Sequence, residues 1–304
     1  MTGIHGRRGP FDDGDIVQLT DPKGRKHTIT LRPGSVFHTH RGSLAHDDLI
    51  GGPEGSVVRS SAGTAYVALR PLLPDFTLSM KRGATIVYPK DAAQILAQAD
   101  VFPGARVVEA GAGSGALSCW LLRAVGEEGL VSSYEQRADF AEIARNNVER
   151  YFGREHPAWR LTVGELAEAI ADADIDRVVL DMLTPWECIG AAAKALVPGG
   201  LICVYVATTT QLSRVVEELR QHGSFYEPRA WETMVRDWHV EGLAVRPDHK
   251  MIGHTGFLVT ARRLADGVEP PERRRRPAKG AYGEDYRKSR GPAEGVGPGE
   301  RMPD

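Results

Sequence analysis

Long apolar runs, metal-binding cysteine pairs and a strong net charge are all missing from this sequence of 304 residues. No apolar run approaches the ~20 residues of a membrane-spanning helix, and residues 1–15 lack the apolar core of a signal peptide. Cys119, Cys188 and Cys203 lie in apolar patterns without metal-ligand spacing. We therefore expect a cytoplasmic protein with reduced core thiols and no metal. The net charge of −2 is only weak evidence against a nucleic-acid partner, because a local basic face is compatible with a neutral total.

The first part of the chain contains short strand-like segments. Residues 15–31 form two of them around the turn at Asp21 and Gly24, and residues 55–71 form two more around Gly63. This pattern predicts a flexible N-terminus over residues 1–13 and a small all-β domain over residues 14–80. The basic residues of this domain are equally compatible with a partner surface and with the solvated face of a sheet.

From about residue 91 strands alternate with helices of 10–15 residues, which is typical of a parallel, doubly wound α/β sheet. The pattern predicts a catalytic domain over residues 81–264. The predicted helices cover 91–100, 115–125, 137–150, 165–171, 186–196 and 209–222, and the predicted strands cover 105–110, 130–135, 159–164, 176–182 and 200–207. Two further strand-like runs, 228–240 and 255–264, have no helix between them and predict an antiparallel hairpin that closes the sheet.

The last 40 residues differ in composition from everything before them. Residues 265–304 hold six prolines and seven glycines and almost no large aliphatic residues, so we predict a disordered tail. Its basic cluster "RRRRPAKG", residues 273–280, fits either a solubilising tail or an arm that contacts RNA.

A glycine-rich turn joins a predicted strand to a predicted helix. Gly111, Gly113 and Gly115 allow the backbone to turn tightly and approach a ligand. The spacing of Gly111 and Gly113 with Ala116 meets a loose dinucleotide fingerprint, which is a weak motif on its own. Glu135 ends the next strand, where a carboxylate can accept both ribose hydroxyls of either NAD or S-adenosylmethionine.

Three features favour S-adenosylmethionine over NAD. Glu109 lies in the turn, where an anion disfavours a pyrophosphate but favours an ammonium or sulfonium group. Asp181 ends a later strand, at the sheet edge where α/β proteins bind ligands. The terminal antiparallel hairpin is usual in methyltransferases. Each carboxylate alone could instead cap a helix, but three at strand ends together indicate a site.

Six motifs resemble the tRNA (adenine-58, nitrogen-1) methyltransferases of the S-adenosylmethionine-dependent class, over residues 14–264. They are "YPKDAAQI" (88–95), "VVEAGAGSGALS" (107–118), "SYEQRAD" (133–139), "LDMLTPWE" (180–187), "YVATTTQLSR" (205–214) and "GHTGFLV" (253–259). The resemblance implies a Rossmann-like class I methyltransferase sheet with an antiparallel C-terminal hairpin after a small β domain.

The resemblance also assigns roles to matching residues. Asp181 would be the catalytic carboxylate and would touch the cofactor, Glu135 would hold the ribose with Arg137 close by, and Glu165 would contact the adenine, where the family often has Asp. The methionine part of the cofactor would lie against Glu109, Gly111, Gly113, Ser114, Gly115, Ala116 and Leu117. Tyr88 and His254 would line the substrate pocket, although His254 fits a structural hydrogen bond equally well.

The implied reaction transfers a methyl group from S-adenosylmethionine to ring nitrogen 1 of adenine 58 of tRNA, without a metal. The resemblance further implies a homotetramer and a target base that leaves its stack. Basic candidates for the tRNA surface are Arg25, Lys26, Arg32, Arg41, Lys81 and Arg82. The alternatives are methylation of another RNA position, a protein or a small molecule, an NAD-dependent oxidoreductase, for which no hydride-transfer pair is evident, and an RNA-binding module with a vestigial cofactor fold.

Overall fold

A four-stranded antiparallel sheet forms the centre of the N-terminal region of the computed structural model, which describes residues 8–166 and 172–269. Its strands are β1 (Ile16–Thr20), β2 (Lys26–Thr30), β5 (Ser56–Arg59) and β6 (Ala65–Leu69), in the order β2-β1-β6-β5. In the first turn the Asp21 carboxylate accepts hydrogen bonds from the backbone N–H groups of Lys23 and Arg25 at 2.8 and 3.0 Å. Both predicted hairpins are confirmed.

The segment between these hairpins holds elements that the sequence pattern did not predict. The short strands β3 (Val36–Thr39) and β4 (Gly42–Ala45) pair with each other, and a 3-10 helix follows at His46–Asp48. His46 is buried, and its ring Nδ1 accepts a hydrogen bond from the backbone N–H of Arg32 at 3.1 Å. The apolar core of this region consists of Phe11, Val17, Leu19, Leu31, Leu44, Leu49, Tyr66 and Ala68.

Helix α1 (Leu73–Ser79) connects the two sheets. Its buried residues Leu73 and Phe76 belong to the core of the larger sheet. Strand β2 faces this helix, because Lys26 Nζ forms an ion pair with Asp75 at 2.6 Å. The domain division between residues 80 and 81 stays a prediction.

The larger sheet has seven strands in the order β12-β15-β11-β10-β7-β8-β9. They are β7 (Arg106–Ala110), β8 (Leu130–Glu135), β9 (Trp159–Val163), β10 (Ile175–Asp181), β11 (Leu196–Val206), β12 (Arg229–Trp231) and β15 (Phe257–Arg262). Strand β15 runs antiparallel to its neighbours, whereas β7 to β11 pair in parallel. Strand order reverses at β7 and β10, which opens a crevice at their carboxyl ends.

Helices cover both faces of this sheet. On one face lie α1, α2 (Pro89–Gln98), α3 (Ala116–Val125) and α4 (Ala138–Phe152), and on the other lie α5 (Ile189–Ala195) and α6 (Thr209–His222). Thr208 and Gln211 form a reciprocal capping box that fixes the start of α6. The three cysteines are buried and free, which confirms the prediction of reduced core thiols.

The region around residues 185–200 corrects two predicted boundaries. The helix predicted over 186–196 is a 3-10 helix at Pro185–Cys188 followed by the shorter α5, and β11 begins at Leu196 rather than at residue 200. Pro198 explains the early end of the helix, because a proline disfavours helical backbone in the residue before it. The short helix predicted over 165–171 falls largely outside the described residues.

The predicted C-terminal hairpin is only partly as expected. Strand β12 pairs antiparallel with β15, so the antiparallel closure is confirmed. The rest of the run 228–240 leaves the sheet, and β13 (Trp238–Glu241) pairs with β14 (Ala244–Pro247) as a separate ribbon. Gly242 has a φ of +54°, which favours this tight local hairpin over pairing with a distant strand.

Two further predictions concern the ends of the chain and the membrane. The flexible N-terminus and the disordered tail with its "RRRR" cluster fall mainly on residues 1–7 and 270–304, outside the described residues. Within the part of the chain that the structure describes, no helix combines the length and the apolar character needed to cross a bilayer.

Candidate active site

The turn between β7 and α3 lies against the carboxyl end of β10. Gly111 has a φ of +84°, and a Cβ added there would lie 1.7 Å from the carbonyl oxygen of Asp181. Gly113 has a φ of +55°, and its backbone N–H donates to Glu135 Oε2 at 2.8 Å. Side chains are therefore excluded where the turn meets β10, and the backbone itself forms the wall of the crevice.

Ser114 holds a second wall in place rather than facing the crevice. Its hydroxyl accepts hydrogen bonds from the backbone N–H groups of Gly83 at 3.0 Å and Ala84 at 3.3 Å. Asn147 Nδ2 donates to the carbonyls of Ser114 and Lys81 at 2.9 and 2.8 Å. The segment before α2 is thereby fixed beside the glycine turn.

Glu109 lies fully buried beneath the turn. Its Oε2 accepts hydrogen bonds from the hydroxyls of Ser118 at 2.7 Å and Ser133 at 2.5 Å, and Ser133 in turn accepts one from Trp159 Nε1 at 2.8 Å. Its Oε1 has no partner among the described residues. Burial, and then the charge of Glu135, raise the pKa of the Glu109 carboxyl, while the two serines oppose this. A buried acceptor without a partner is costly and is suited to a bound donor or cation.

Glu135 is held by backbone groups on both sides. Besides Gly113, the N–H of Arg137 donates to its Oε1 at 3.0 Å. The Arg137 guanidinium turns outward, forms an ion pair with Asp139 at 2.6 Å and stacks over Phe140. Arg137 therefore supports Glu135 through its backbone.

Asp181 ends β10 as the sequence predicts, and its carboxylate accepts no hydrogen bond from the described residues. Burial raises its pKa to about 7, and the negative charges of Glu109 and Glu135 add to the effect. The arrangement therefore concentrates negative charge around the crevice and favours a positively charged ligand.

A cavity of about 480 Å³ lies over these groups. It is lined by Ala84, Thr85, Ile86, Ala110, Gly111, Gly113, Tyr134, Glu135, Gln136, Phe140, Gly164, Glu165, Leu166, Asp181, Met182, Leu183, Tyr205, Val206, Ala207, Gln211 and Thr255. Of the predicted site residues, Gly111, Gly113, Glu135, Glu165 and Asp181 are brought together on this lining. Glu165 accepts a hydrogen bond from Gln136 Nε2 at 2.6 Å.

The other predicted residues lie behind or beside the lining. Ala116 and Leu117 are buried at the start of α3, and Gly115 packs against Ala144 of α4. Tyr88 is the partly buried residue that precedes α2. His254 is exposed, with Nδ1 3.0 Å from Glu232 Oε2 and Nε2 2.9 Å from the carbonyl oxygen of Ala207. The carbonyl and then the Glu232 carboxylate raise the His254 pKa, as expected for an imidazolium that donates to both.

Sequence reasoning missed the polar group behind the far wall. Tyr205 and Thr255 line the cavity, and Lys90 and Asp91 bind Thr255 from the first turn of α2. The sequence did contain a signal for these four residues, because they lie in the motifs "YPKDAAQI", "YVATTTQLSR" and "GHTGFLV". Their contacts join positions more than 100 residues apart, which spacing in one sequence does not reveal.

Comparison with known proteins agrees with this geometry. The family described as the tRNA methyltransferase complex GCD14 subunit matches residues 65–246, more than half of the chain, and a TrmI-like N-terminal family matches residues 9–58. The chain belongs to the GCD14 tRNA methyltransferase family. The family predicted from the sequence motifs is thereby confirmed.

Relatives of known activity cover most of the chain. The tRNA (adenine(58)-N(1))-methyltransferase TrmI of Thermus thermophilus is 40% identical over 246 residues, which are 81% of this chain and 95% of the relative. The tRNA (adenine(57)-N(1)/adenine(58)-N(1))-methyltransferase TrmI of Methanocaldococcus jannaschii is 32% identical over 269 residues, 80% of this chain and 93% of the relative.

Solved structures confirm the predicted fold class. An S-adenosylmethionine-dependent O-methyltransferase from Thermotoga maritima matches with a TM-score of 0.81 and 31% identity, over 85% of this chain and 96% of that one. The tRNA (m1A58) methyltransferase TrmI from Aquifex aeolicus matches with a TM-score of 0.74 and 25% identity, over 84% and 99%. The seven-stranded sheet is that of an S-adenosylmethionine-dependent methyltransferase.

Proposed function

We propose that this chain is a tRNA (adenine(58)-N(1))-methyltransferase that uses S-adenosylmethionine. The observation that carries the proposal is the Asp181 carboxylate, which has no hydrogen-bond partner in residues 8–166 and 172–269 and lies on the lining of a cavity that the glycine turn borders. Membership of the GCD14 family and the likeness to enzymes named for adenine 58 support adenine 58 of tRNA as the methyl acceptor.

The cavity fits the cofactor by charge and by shape. Gly111 lets the turn pack against the Asp181 backbone and so shapes the crevice, and the buried Glu109 Oε1, which has no partner among the described residues, is suited to a donor group. Three carboxylates favour a sulfonium and an ammonium group and disfavour the pyrophosphate of NAD. Glu135 would hold the ribose hydroxyls with its remaining acceptor sites, and Glu165 would lie beside the adenine ring.

S-adenosylmethionine supplies a methyl group on a sulfonium centre when bound. Held in this cavity, the cofactor would supply that methyl group to the lone pair of adenine N1, and the bonding electron pair would stay on sulfur. No base is needed before attack, so alignment by the cavity walls supplies much of the rate. Asp181 would accept a hydrogen bond from the exocyclic amine, stabilise the positive charge that develops on the base and receive the amine proton afterwards.

The acceptor nucleotide must reach this cavity from a folded tRNA. Lys81 and Arg82 are exposed and directly precede the segment 84–86 that lines the cavity. Arg25 and Arg32 are exposed on the N-terminal sheet region, while Lys26 is paired with Asp75 and Arg41 lies 3.7 Å from Asp21. Exposed cations at both places would contact tRNA phosphates and help to hold the flipped nucleotide.

We also propose that four copies associate, as the sequence resemblance implies. The ribbon formed by β13 and β14 supports association, because it exposes large apolar side chains that a lone soluble protein rarely leaves uncovered. They are Trp238, Val240, Leu243 and Val245, and Met234 and Val235 are also exposed just before the ribbon. Light scattering coupled to size exclusion would give the mass of a tetramer, and a monomer mass would refute this part.

The activity is tested by incubating the protein with tRNA and S-adenosylmethionine and mapping modified nucleosides by mass spectrometry. We expect 1-methyladenosine at position 58. A modification elsewhere in tRNA, or methylation only of a small molecule, would replace the proposed acceptor. The second candidate, another methyl acceptor, is favoured by one observation alone, the structural likeness to a Thermotoga maritima protein described as an O-methyltransferase.

A further inference from the structure

A tryptophan and an arginine stack on one another beside the mouth of the cavity. Trp186 lies in the 3-10 helix Pro185–Cys188 and packs against the core on the α5 and α6 side of the sheet. Arg214 is exposed on α6, and its guanidinium carbon lies 4.0 Å from the centre of the Trp186 ring. The indole therefore supports the guanidinium from below, at a distance typical of a cation–π contact.

The edge of the Arg214 guanidinium is left for an external acceptor. Stacking uses the face of the group, whereas its N–H groups point outward in its plane. Arg214 takes part in no hydrogen bond or ion pair with another residue in 8–166 and 172–269. The carboxylate one helical turn further on, Glu217, forms an ion pair with Arg220 at 2.7 Å. A planar cation held in this way is suited to a phosphate, whose oxygens accept its N–H groups in pairs.

Two connections place Arg214 next to the cavity. Gln211 lines the cavity and lies one helical turn before Arg214 on the same face of α6. Gln211 Nε2 also donates to the carbonyl of Leu183 at 3.0 Å, which ties α6 to the loop that follows Asp181. Leu183 lines the cavity as well and is 82% exposed. The stacked pair therefore flanks an open, apolar part of the mouth, close in the chain to Asp181.

An RNA acceptor meets unfavourable charge at this cavity. The carboxylates of Asp181, Glu109 and Glu135 lie close enough to influence one another, and their negative charge repels the phosphates on either side of a target nucleotide. A cation fixed beside the mouth offsets this repulsion where the phosphates must lie. Lys81 and Arg82 precede α2, on one face of the sheet, whereas Arg214 lies on α6, which covers the opposite face.

We propose that Arg214, held flat on Trp186, binds a backbone phosphate of tRNA beside the target nucleotide. The inference rests on the proposed function for the identity of the RNA and of its target nucleotide. Arg214 does not line the cavity, so its effect falls on tRNA binding and not on cofactor affinity. A guanidinium contact of this kind depends on both charge and geometry, and variants of Arg214 separate the two.

The first test is the affinity of the full-length protein for a labelled tRNA transcript, measured by fluorescence anisotropy at several salt concentrations. Arg214→Gln should weaken binding about fivefold and make the slope of log affinity against log salt shallower by about one charge. Arg214→Lys keeps the charge, so the slope should stay at the wild-type value, while affinity should still fall about twofold because the stacked planar group is lost. A wild-type salt slope in Arg214→Gln would overturn the proposal.

Arg229→Gln is the matched control, because Arg229 is also an exposed arginine stacked on a tryptophan. Its guanidinium carbon lies 5.0 Å from the centre of the Trp231 ring, and Nη1 donates to Gln98 Oε1 at 3.1 Å. Neither Arg229 nor Gln98 lines the cavity. The variant removes the same charge from the protein and should leave the salt slope unchanged and tRNA affinity within about twofold. Equal losses in Arg214→Gln and Arg229→Gln would mean that net charge alone matters and would overturn the proposal.

A chemical change in the RNA locates the phosphate. In separate tRNAs ligated from synthetic pieces, a neutral methylphosphonate replaces the linkage on one or the other side of adenosine 58. One of these changes should weaken binding by the wild-type protein about as much as Arg214→Gln does, and should weaken binding by Arg214→Gln less than about twofold further. The same change in the anticodon stem should affect both proteins equally. Additive losses at both flanking linkages would overturn the placement beside the target nucleotide.

These measurements also separate the inference from the proposed function. Binding and its salt slope need no methyl transfer, whereas nucleoside mapping of the wild-type reaction products tests the function. 1-Methyladenosine at position 58 together with a wild-type salt slope in Arg214→Gln would refute the phosphate contact alone. A methyl group at another position would refute the proposed acceptor, while the salt slope would still decide whether Arg214 contacts the RNA.

Discussion

The two sides of the cavity are built in different ways. The proposed cofactor side consists of Glu109, the glycine turn from Gly111 to Gly115 and Glu135, all within 27 consecutive positions of one strand-turn-helix-strand unit. The proposed acceptor side contains Asp181 and, on the same cavity lining, Tyr205 and Thr255, and Thr255 is hydrogen-bonded to Lys90 and Asp91. Local backbone geometry fixes the first side, and contacts between distant segments fix the second. Substitutions on one side should therefore have little effect on ligand binding by the other side.

Asp181→Ala should give the largest effect on the acceptor side. We expect single-turnover methylation to fall by roughly a hundredfold or more, the scale of losing one transition-state stabiliser. S-adenosylmethionine affinity, measured by calorimetry, should change far less, because the glycine turn and Glu135 remain. A near-normal rate of methyl transfer by this variant would mean that alignment of the two substrates alone supplies the rate. The Asp181 carboxylate would then have no role in the reaction.

Gly111→Ala should give the largest effect on the cofactor side. The added Cβ would overlap the Asp181 carbonyl oxygen, and alanine is strained at this positive φ. We expect cofactor affinity to fall at least about tenfold by calorimetry, with a lowered melting temperature. Gly63→Ala is the control, because its φ of +79° is equally strained but open space surrounds it. Equal cofactor affinity in the two variants would contradict the conclusion that the close packing of Gly111 on the Asp181 carbonyl shapes the cofactor site.

The pH dependence of the reaction should follow Asp181. The pKa of its carboxyl is raised to about 7 by burial and by Glu109 and Glu135, so the group is protonated below that pH in the free enzyme. Since its proposed role needs the carboxylate, kcat/KM should rise about tenfold per pH unit below 7 and level off above. In the Asp181→Asn variant, kcat/KM should not show this rise with pH.

The stability of the protein should show the opposite trend with pH. A folded-state pKa above the ordinary value of 3.8 means that the folded protein binds more protons than the unfolded chain between about pH 4 and pH 7. The contribution of Asp181 is therefore favourable below that window and is lost as the pH rises through 7. The gain in melting temperature from Asp181→Asn should be larger at pH 8 than at pH 4, and a gain that does not vary with pH would contradict the raised pKa.

Replacing Lys81 and Arg82 together by alanine should have the smallest effect. We expect tRNA affinity to weaken several-fold and the salt dependence of binding to become less steep by up to about two charges. Cofactor affinity should be unchanged, since neither side chain lines the cavity. An unchanged salt slope would exclude these residues as phosphate contacts.

The same division explains what the sequence could predict. Glu109, the glycines and Glu135 were found because a strand, a turn and a helix follow one another with fixed spacing. Asp181 was found because it ends a strongly apolar strand. The hydrogen bonds of Thr255 with Lys90 and Asp91 were not found, because they join residues more than 160 positions apart. The place of Arg137 near the ribose, which the resemblance implies, stays a prediction; its backbone N–H donates to Glu135 and its guanidinium pairs with Asp139.

Fold prediction failed where local and distant pairing compete. The strand run 228–240 has the composition of one long strand, yet only Arg229–Trp231 joins the sheet. The glycine at position 242 allows the following residues to pair locally in the β13–β14 ribbon, which brings partners together over a few residues instead of twenty. The short strands β3 and β4 were missed because four residues each, interrupted by polar side chains, give no clear alternation.

The most direct test of the account compares two transcripts of one tRNA, with adenosine or guanosine at position 58. Methyl incorporation from S-adenosylmethionine is counted per transcript at saturation. We predict about one methyl group on the adenosine transcript and none on the guanosine transcript, because the acceptor side is assigned to a single adenine. Equal incorporation into both transcripts would contradict the proposed acceptor.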